Sequence, residues 1–500
     1  MVKKEEMLKR IIKICTLLLL FCLIAGTTLF FYNAHHRYTI NHGFTSLALQ
    51  YDPEQGISQY SWNGFAVTVK DGFVKGIQKR GSLEHLVIRA LSPMVRIEIT
   101  NSGSKEQSLS IDLENINPEL YGLLLDSSIS RSRVSVNTLE FSLQIPIGKT
   151  VGLTPSAKSG FDNEAYVVLG DNRDGYETFG AIIEQVNAIK PAFVIDNGDL
   201  VFSGKPNQYR LFDQMVANMA TTVCTTLGNH DIRGEGRSTY TQLYGPPYYA
   251  FDLGGNHYVF LDSSRGYAQK TAIPEEQYAW LERDLKKAQG KRITVISHIP
   301  PTDPRSGLKP NEIEAYTDKV EKEGGFVERK LEAYSENESI DHGFRDKTEA
   351  QRFENLMTRY GVQNVYLSHI HSYFDSSKDG VRYIISGGGG AELLTQNSYY
   401  HFLIAKPGES EILTMVELPS PPNLLLQRYW ATIVLFAQAM YTENIVAVTL
   451  LILGFVAFVL LLILLVLMNQ KNRLAYLKIL LKDTFGYMVN RSHELHPPKE

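Results

Sequence analysis

The chain has 500 residues, enough for two or three domains with sizeable cores. Acidic and basic residues nearly balance at a formal net charge of −4, and no run of Lys or Arg reaches the scale of a nucleic-acid surface, so nucleic acid is not an expected partner. Of three cysteines, Cys15 and Cys22 lie in an apolar N-terminal run and Cys224 stands alone, so no intrachain disulfide is expected in the soluble portion; a reducing compartment and an exported disulfide-free protein fit this equally.

Taken in chain order, the first element is IIKICTLLLLFCLIAGTTLFFY (11–32), as long as a bilayer span, which needs about twenty apolar residues. Lys3, Lys4, Lys9, Arg10 and Lys13 stand at or before its start, in and after a short N-terminus (1–10). The apolar stretch exceeds a signal-peptide core and no small-x-small cleavage site follows, which predicts an uncleaved anchor. Residues 43–150 alternate apolar and polar positions, as in FAVTVKDGFVKGI, where Asp71-Gly72 predicts a hairpin. This segment is expected to be an all-β sandwich, a spacer or binding module without a catalytic cluster.

Over 160–418 short apolar runs alternate with amphipathic helical stretches: AYVVLG then YETFGAIIEQVNAI, AFVID then NQYRLFDQMVANMA, YVFLD then EEQYAWLERDLKKAQ. ITVISH, NVYLSH and YIIS follow, giving an α/β pattern. The polar insertion at 302–346 reads as a lid, and equally as a solvated surface excursion. Residues 420–441 open on prolines and continue as an aromatic, apolar interfacial segment with Tyr429 and Trp430. IVAVTLLILGFVAFVLLLILLVLM (445–468) carries no charge and is the second expected transmembrane helix, followed by a basic tail (469–500). Basic residues flank both spans on their outer sides, so the positive-inside rule puts both termini in the cytoplasm and residues 33–444 outside the plasma membrane.

In α/β folds, ligands bind at the C-terminal ends of strands. There stand Asp171 in VVLGDNR, Asp199 in VIDNGDL, Asn229, His230 and Asp231 in TTLGNHD, His298 in VISHIPP, and His369 and His371 in YLSHIHSY. Singly, each has a commonplace explanation: Asp199 as a helix cap, Asn229 and Asp231 as turn residues, His298 as a structural histidine. Together they are oxygen and nitrogen donors without a thiolate, suited to Mn, Fe, Zn or Mg and too many for one four-coordinate zinc. Two metals bridged by one carboxylate would use them all. His342, His401 and the pair His35-His36 stand outside these motifs and read as surface or structural residues. Gly387 to Gly390 read as a place where backbone approaches the cleft, or as a tight turn.

The order D-x-x, G-D, G-N-H-D, H, H-x-H resembles the calcineurin-like metallophosphoesterase superfamily over about 164 to 406, with SGGGGAE placed where that family has a glycine run. The resemblance implies an α/β metallophosphoesterase four-layer sandwich, two mixed sheets flanked by helices, here preceded by the all-β sandwich and flanked by transmembrane helices. It implies two divalent metal ions, with Mn favoured: Asp171 and His371 on the first, Asp199 bridging, and Asn229, His298 and His369 on the second. His230 would donate a proton to the leaving oxygen from outside the coordination shell, its imidazole aligned and charged by Asp231. The implied activity is hydrolysis of a phosphomonoester or phosphodiester by a metal-bridging hydroxide.

One position departs. The family's first motif commonly reads D-x-H, and here the third residue is Arg173, which cannot coordinate a cation while protonated. The first site then lacks a ligand, takes an extra water, or recruits Asn172. Arg173 itself is expected either to clamp a phosphate oxygen or to form a plain ion pair. Anchoring to a lipid bilayer mildly favours a membrane-associated phosphoester as substrate. The alternative is a non-catalytic membrane receptor or scaffold that uses the phosphoesterase fold and the β-sandwich for binding; Arg173 speaks for it and the His230-Asp231 pair against it.

Overall fold

The structure, a computed structural model, describes residues 2–36, 44–118, 129–154, 165–266, 269–307, 341–393, 398–419, 430, 433–434 and 445–467. Most of the insertion at 302–346, nearly all of the interfacial segment at 420–441 and the basic tail lie outside the described residues. The chain forms two compact units, one from Met1–Asn41 with Leu435–Glu500 and one from His42–Val434.

The first unit contains α1 (Val2–His36) and the last helix, α7 (Ile445–Leu467). Both are long and apolar enough to cross a membrane, over Arg10–Leu29 and Val446–Ile463. They pack on small residues: a Cβ on Gly26 would come within 3.0 Å of the Leu451 side chain, and one on Gly454 within 3.2 Å of Cys22 Cβ. Bare glycines at such a contact let two helix backbones approach closely.

The second unit opens with two sheets. One has the order β1 (Phe44–Ser46), β4 (Gly72–Arg80), β5 (Leu83–Ala90), β7 (Gln107–Glu114), β9 (Thr138–Ile145), β8 (Ile129–Val134); the other runs β10 (Thr150–Leu153), β6 (Arg96–Asn101), β3 (Phe65–Lys70), β2 (Ile57–Trp62). Alternate residues of both sheets, such as Val67, Val69, Ile97, Ile99, Leu109, Ile111 and Leu143, meet in one buried core. The expected hairpin at Asp71-Gly72 does not form: β3 pairs with β2 and β6, and β4 with β1 and β5. Asp71, at φ 57°, instead turns the chain from one sheet into the other, where a Cβ on Gly72 would come within 2.7 Å of Val95. The dipeptide supplies the left-handed turn it is suited to, but packing of the two sheets chooses the strands' partners.

From Tyr166 onward two mixed sheets face each other. The first has the order β13 (Thr222–Thr225), β12 (Phe193–Asp196), β11 (Tyr166–Leu169), β20 (Tyr400–Lys406), β21 (Ile412–Leu418). The second runs β14 (Tyr249–Leu253), β15 (Asn256–Phe260), β16 (Arg292–Ile296), β17 (Asn364–Leu367), β19 (Val381–Ser386), β18 (Tyr373–Lys378). Tyr166, Val168, Phe193 and Ile195 meet Tyr258, Phe260, Ile296, Tyr366 and Ile384 between the sheets. Both faces of the central strands are buried, which is why they read as unbroken apolar runs rather than alternating ones. On the outside of the second sheet, α5 (Glu275–Lys287) and α6 (Lys347–Arg359) bury Tyr278, Trp280, Leu281, Phe353 and Met357 against Val259, Val295 and Val365.

The two leading sheets dock onto this assembly. Phe73 and Leu91 join the core between the mixed sheets. The buried Asn115 amide pairs with the middle of β13: its Nδ2 donates to Val223 O (3.0 Å) and its Oδ1 accepts from Val223 N (3.0 Å). Trp280 Nε1 donates to Pro53 O at 3.0 Å.

Candidate metal centre

Parallel strands β11, β12, β13 of one sheet and β16, β17 of the other end on the same side, and each motif begins within four residues of a strand end. Asp171, Asp199 and His369 hold φ of 59°, 54° and 71°, left-handed values that cost non-glycine residues of order 1 kcal/mol each. Hydrogen bonds between the loops sustain them: Asp171 N donates to Gly198 O (3.1 Å), Arg173 N to Asp199 O (2.9 Å) and Ala391 N to Asp171 O (2.7 Å). Close approach requires two glycines. A Cβ on Gly387 would lie 2.5 Å from Asp171 Oδ2, and one on Gly228 would lie 2.2 Å from Asp199 N and Oδ1.

Ligand atoms of Asp199, His298 and His369 lie within 4.8 Å of one another, and so do those of Asp171, Asp199 and His371. The two buried triads share Asp199. His298 Nδ1 is 2.7 Å from Asn197 O and His371 Nδ1 is bonded to Glu392 O, so each ring turns Nε2 and its lone pair inward. His298 Nε2 is 3.3 Å from Asp199 Oδ1, and His371 Nε2 is 3.7 Å from Asp171 Oδ1.

Asp171 Oδ1, Asp199 Oδ2, Asn229 Oδ1 and His298 Nε2 are buried without a hydrogen-bond partner. All four are acceptors, each costing about 1–3 kcal/mol if left unpaired. A divalent cation satisfies acceptors alone, and this donor set fits one.

The histidine protonation states agree, and Asp171 is the exception. Burial, reinforced by neighbouring Asp199, pushes the Asp171 carboxyl far above the usual carboxylate range. Burial also opposes ionisation of Asp199, but His230, His298 and Arg173 outweigh it and hold that carboxyl below its ordinary value. Desolvation depresses His298 and His369, and with help from Arg173 brings His371 down to about 3. Neutral imidazoles are the form in which histidine binds metal.

His230 Nδ1 is bonded to Phe202 O, and its Nε2 lies 2.7 Å from Arg173 Nη1 and 3.0 Å from Arg233 Nη2. Burial, with the charges of Arg173 and Arg233, lowers its pKa to about 4, so the ring is neutral and Nε2 accepts. The expectation that Asp231 aligns and charges this ring is corrected. The Asp231 carboxylate accepts from Val201 N (3.0 Å) and Gly228 N (2.8 Å), pinning the loop below the site, and backbone carbonyl and guanidinium groups orient His230 instead.

Arg173 is buried and central. Its Nη2 is 3.1 Å from His371 Nε2 and 2.5 Å from Glu392 Oε1, and its guanidinium lies 5.6 Å from the Phe202 ring centre. Asn172 is not drawn into the centre, since its Nδ2 donates to Asp196 Oδ2 at 2.8 Å.

Four residues at the site escaped the sequence reading, among them Arg233 beside His230. Glu392 was visible only as the last letter of SGGGGAE. Phe202 is an exposed aromatic flanking His230, at 5.4 Å between ring centres. His342 was read as surface or structural, yet its ring centre lies 5.3 Å from that of His369; no motif marks it, because the fold alone brings it there.

The calcineurin-like phosphoesterase family profile matches residues 165–373, a span holding every proposed ligand. A glycerophosphodiester phosphodiesterase of Enterobacter lignolyticus is 30% identical over 129 residues, 24% of this chain and 46% of that protein. A "probable cyclic nucleotide phosphodiesterase" of Fibrobacter succinogenes is 27% identical over 108 residues, 21% of this chain and 40% of that one. The chain thus spans less than half the length of these curated relatives. Among solved structures, a purple acid phosphatase from yellow lupin aligns with 71% of this chain and 77% of its own at 12% identity and a TM-score of 0.37. Over residues 165–373 the chain is thus similar to the calcineurin-like phosphoesterases.

Proposed function

We propose that the chain hydrolyses a phosphoester at this centre, with divalent cations as cofactor, Mn²⁺ favoured. The observation that carries the reading is the pair of buried, acceptor-only triads sharing Asp199. A bound divalent cation there would neutralise phosphate charge and activate water. Arg173 and His230 stand beside the triads, where a guanidinium fork holds a phosphoryl oxygen. His230 acts on the leaving oxygen through Nε2; it enters neutral, and an anionic ester beside it favours its protonated form. The relatives' names, glycerophosphodiester and cyclic nucleotide phosphodiesterase, favour a diester over a monoester.

Helices α1 and α7 anchor the chain in a membrane, with both termini cytoplasmic and residues 33–444 outside; their length and composition, with the flanking basic residues, support this. Anchoring at both ends favours a substrate at the bilayer surface.

The test uses the full chain in detergent with Mn²⁺, assayed on bis-p-nitrophenyl and p-nitrophenyl phosphate beside Asp199→Ala. Turnover lost in the variant is the expected result; no turnover in either protein favours the receptor or scaffold reading instead. Protease protection of sealed vesicles of known orientation reads the topology.

A further inference from the structure

The two triads are not equivalent, and the difference lies in Arg173. Around Asp199, His298 and His369, with Asn229 Oδ1 in the adjoining loop, His298 Nδ1 is taken by Asn197 O at 2.7 Å and its Nε2 faces Asp199 Oδ1 at 3.3 Å. Around Asp171, Asp199 and His371 the position the family commonly gives to a histidine ligand carries a permanent cation. Its Nη2 sits 3.1 Å from His371 Nε2, the atom that triad would offer to a metal, and its charge acts on both Asp171 and Asp199.

The guanidinium is held there by Glu392 Oε1 at 2.5 Å, His230 Nε2 at 2.7 Å and the Phe202 ring, while the Arg173 backbone N is bonded to Asp199 O at 2.9 Å. Like charges at such range repel strongly in a buried site.

We infer that this chain holds one resident divalent cation, at Asp199, Asn229, His298 and His369, and that the Arg173 guanidinium stands in for the second cation beside Asp171 and His371. Resting on the metal-centre reading above, this makes Arg173 a substrate-facing fixed charge: it neutralises phosphate without exchanging with solvent metal. The centre then tolerates metal-poor surroundings at the second position, where a two-ion centre would empty.

The experiment strips the full chain in detergent with EDTA, reloads it with Mn²⁺ alone, removes unbound ion by desalting, and counts Mn per chain by elemental analysis. Continuous-wave EPR of the same samples distinguishes isolated from spin-coupled Mn²⁺. Expected are one Mn per wild-type chain with an uncoupled spectrum, and two with a coupled spectrum in Arg173→His. His371→Ala should retain the ion and His298→Ala should lose it, a contrast that does not depend on the Arg173 variant folding. Two tightly held, coupled ions in the wild type overturn the inference and leave the hydrolase reading standing. So does loss of the ion in His371→Ala with retention in His298→Ala. Failure of the wild type to retain any Mn overturns both.

Discussion

Asp231→Asn separates a loop brace from a catalytic orienter. In the structure this carboxylate is wholly buried and accepts backbone N–H bonds from Val201 at 3.0 Å and Gly228 at 2.8 Å. Burial, with neighbouring Asp199, pushes this carboxyl above the usual carboxylate range, so each bond contributes about 0.5–1.5 kcal/mol and an orphaned buried partner costs about 1–3 kcal/mol. An amide of the same shape keeps one acceptor and turns a donor toward the second N–H, so one bond is lost and a buried donor pair is created. Relief of repulsion with Asp196 and Asp199 offsets part of this. The net loss is about 2–4 kcal/mol of stability, seen in urea unfolding and as a midpoint several degrees lower. Turnover of the folded fraction should change by only a few fold, because His230 is held by Phe202 O, Arg173 and Arg233. Misplacing a catalytic acid or base costs about 100-fold or more. An unchanged midpoint with a loss of that size would refute the assignment and restore Asp231 as the partner of His230.

His257 lies between Asp252 (2.7 Å) and Asp284 (2.8 Å); burial alone would lower its pKa, but these bonds carry it up to about 9. Since the folded value exceeds the unfolded one, the stabilisation, at most about 3 kcal/mol, is complete below pH 6.5 and lost as pH rises through 9; the half-exposed Asp252 screens part of it. Urea unfolding at pH 6 and pH 10 should show that difference in wild type and little of it in His257→Gln. Gly228→Ala, whose Cβ would meet Asp199 at 2.2 Å, should abolish Mn retention without removing a ligand; a normal Mn content would show that the loop yields. Asn115→Ala strips the bonds to Val223 and Ala90 O and should cost about 2–3 kcal/mol in the same unfolding assay, whereas a loss under 0.5 kcal/mol would mean the strand holds without it.

The sequence by itself determined which residues could grip a cation, because the donors follow runs whose apolar character already marks them as buried strands: Asp171 after YVVL, Asp199 after FVID, His298 after RITVI, His369 after NVYL. It determined the two long apolar helices for the same reason, since runs of about twenty mostly apolar residues have few alternatives. What only the tertiary structure decided are the partners of charged and polar groups. Arg173 could have met phosphate or any carboxylate; its neighbours turn out to be Glu392, 219 positions away, and two imidazoles. Asp231 sits next to His230 in the chain yet spends its oxygens on Val201 and Gly228, and Asp71-Gly72 joins two sheets rather than two paired strands. Periodicity along a chain records burial, which is local, whereas a hydrogen-bond partner is chosen by whichever group the packed fold brings within reach.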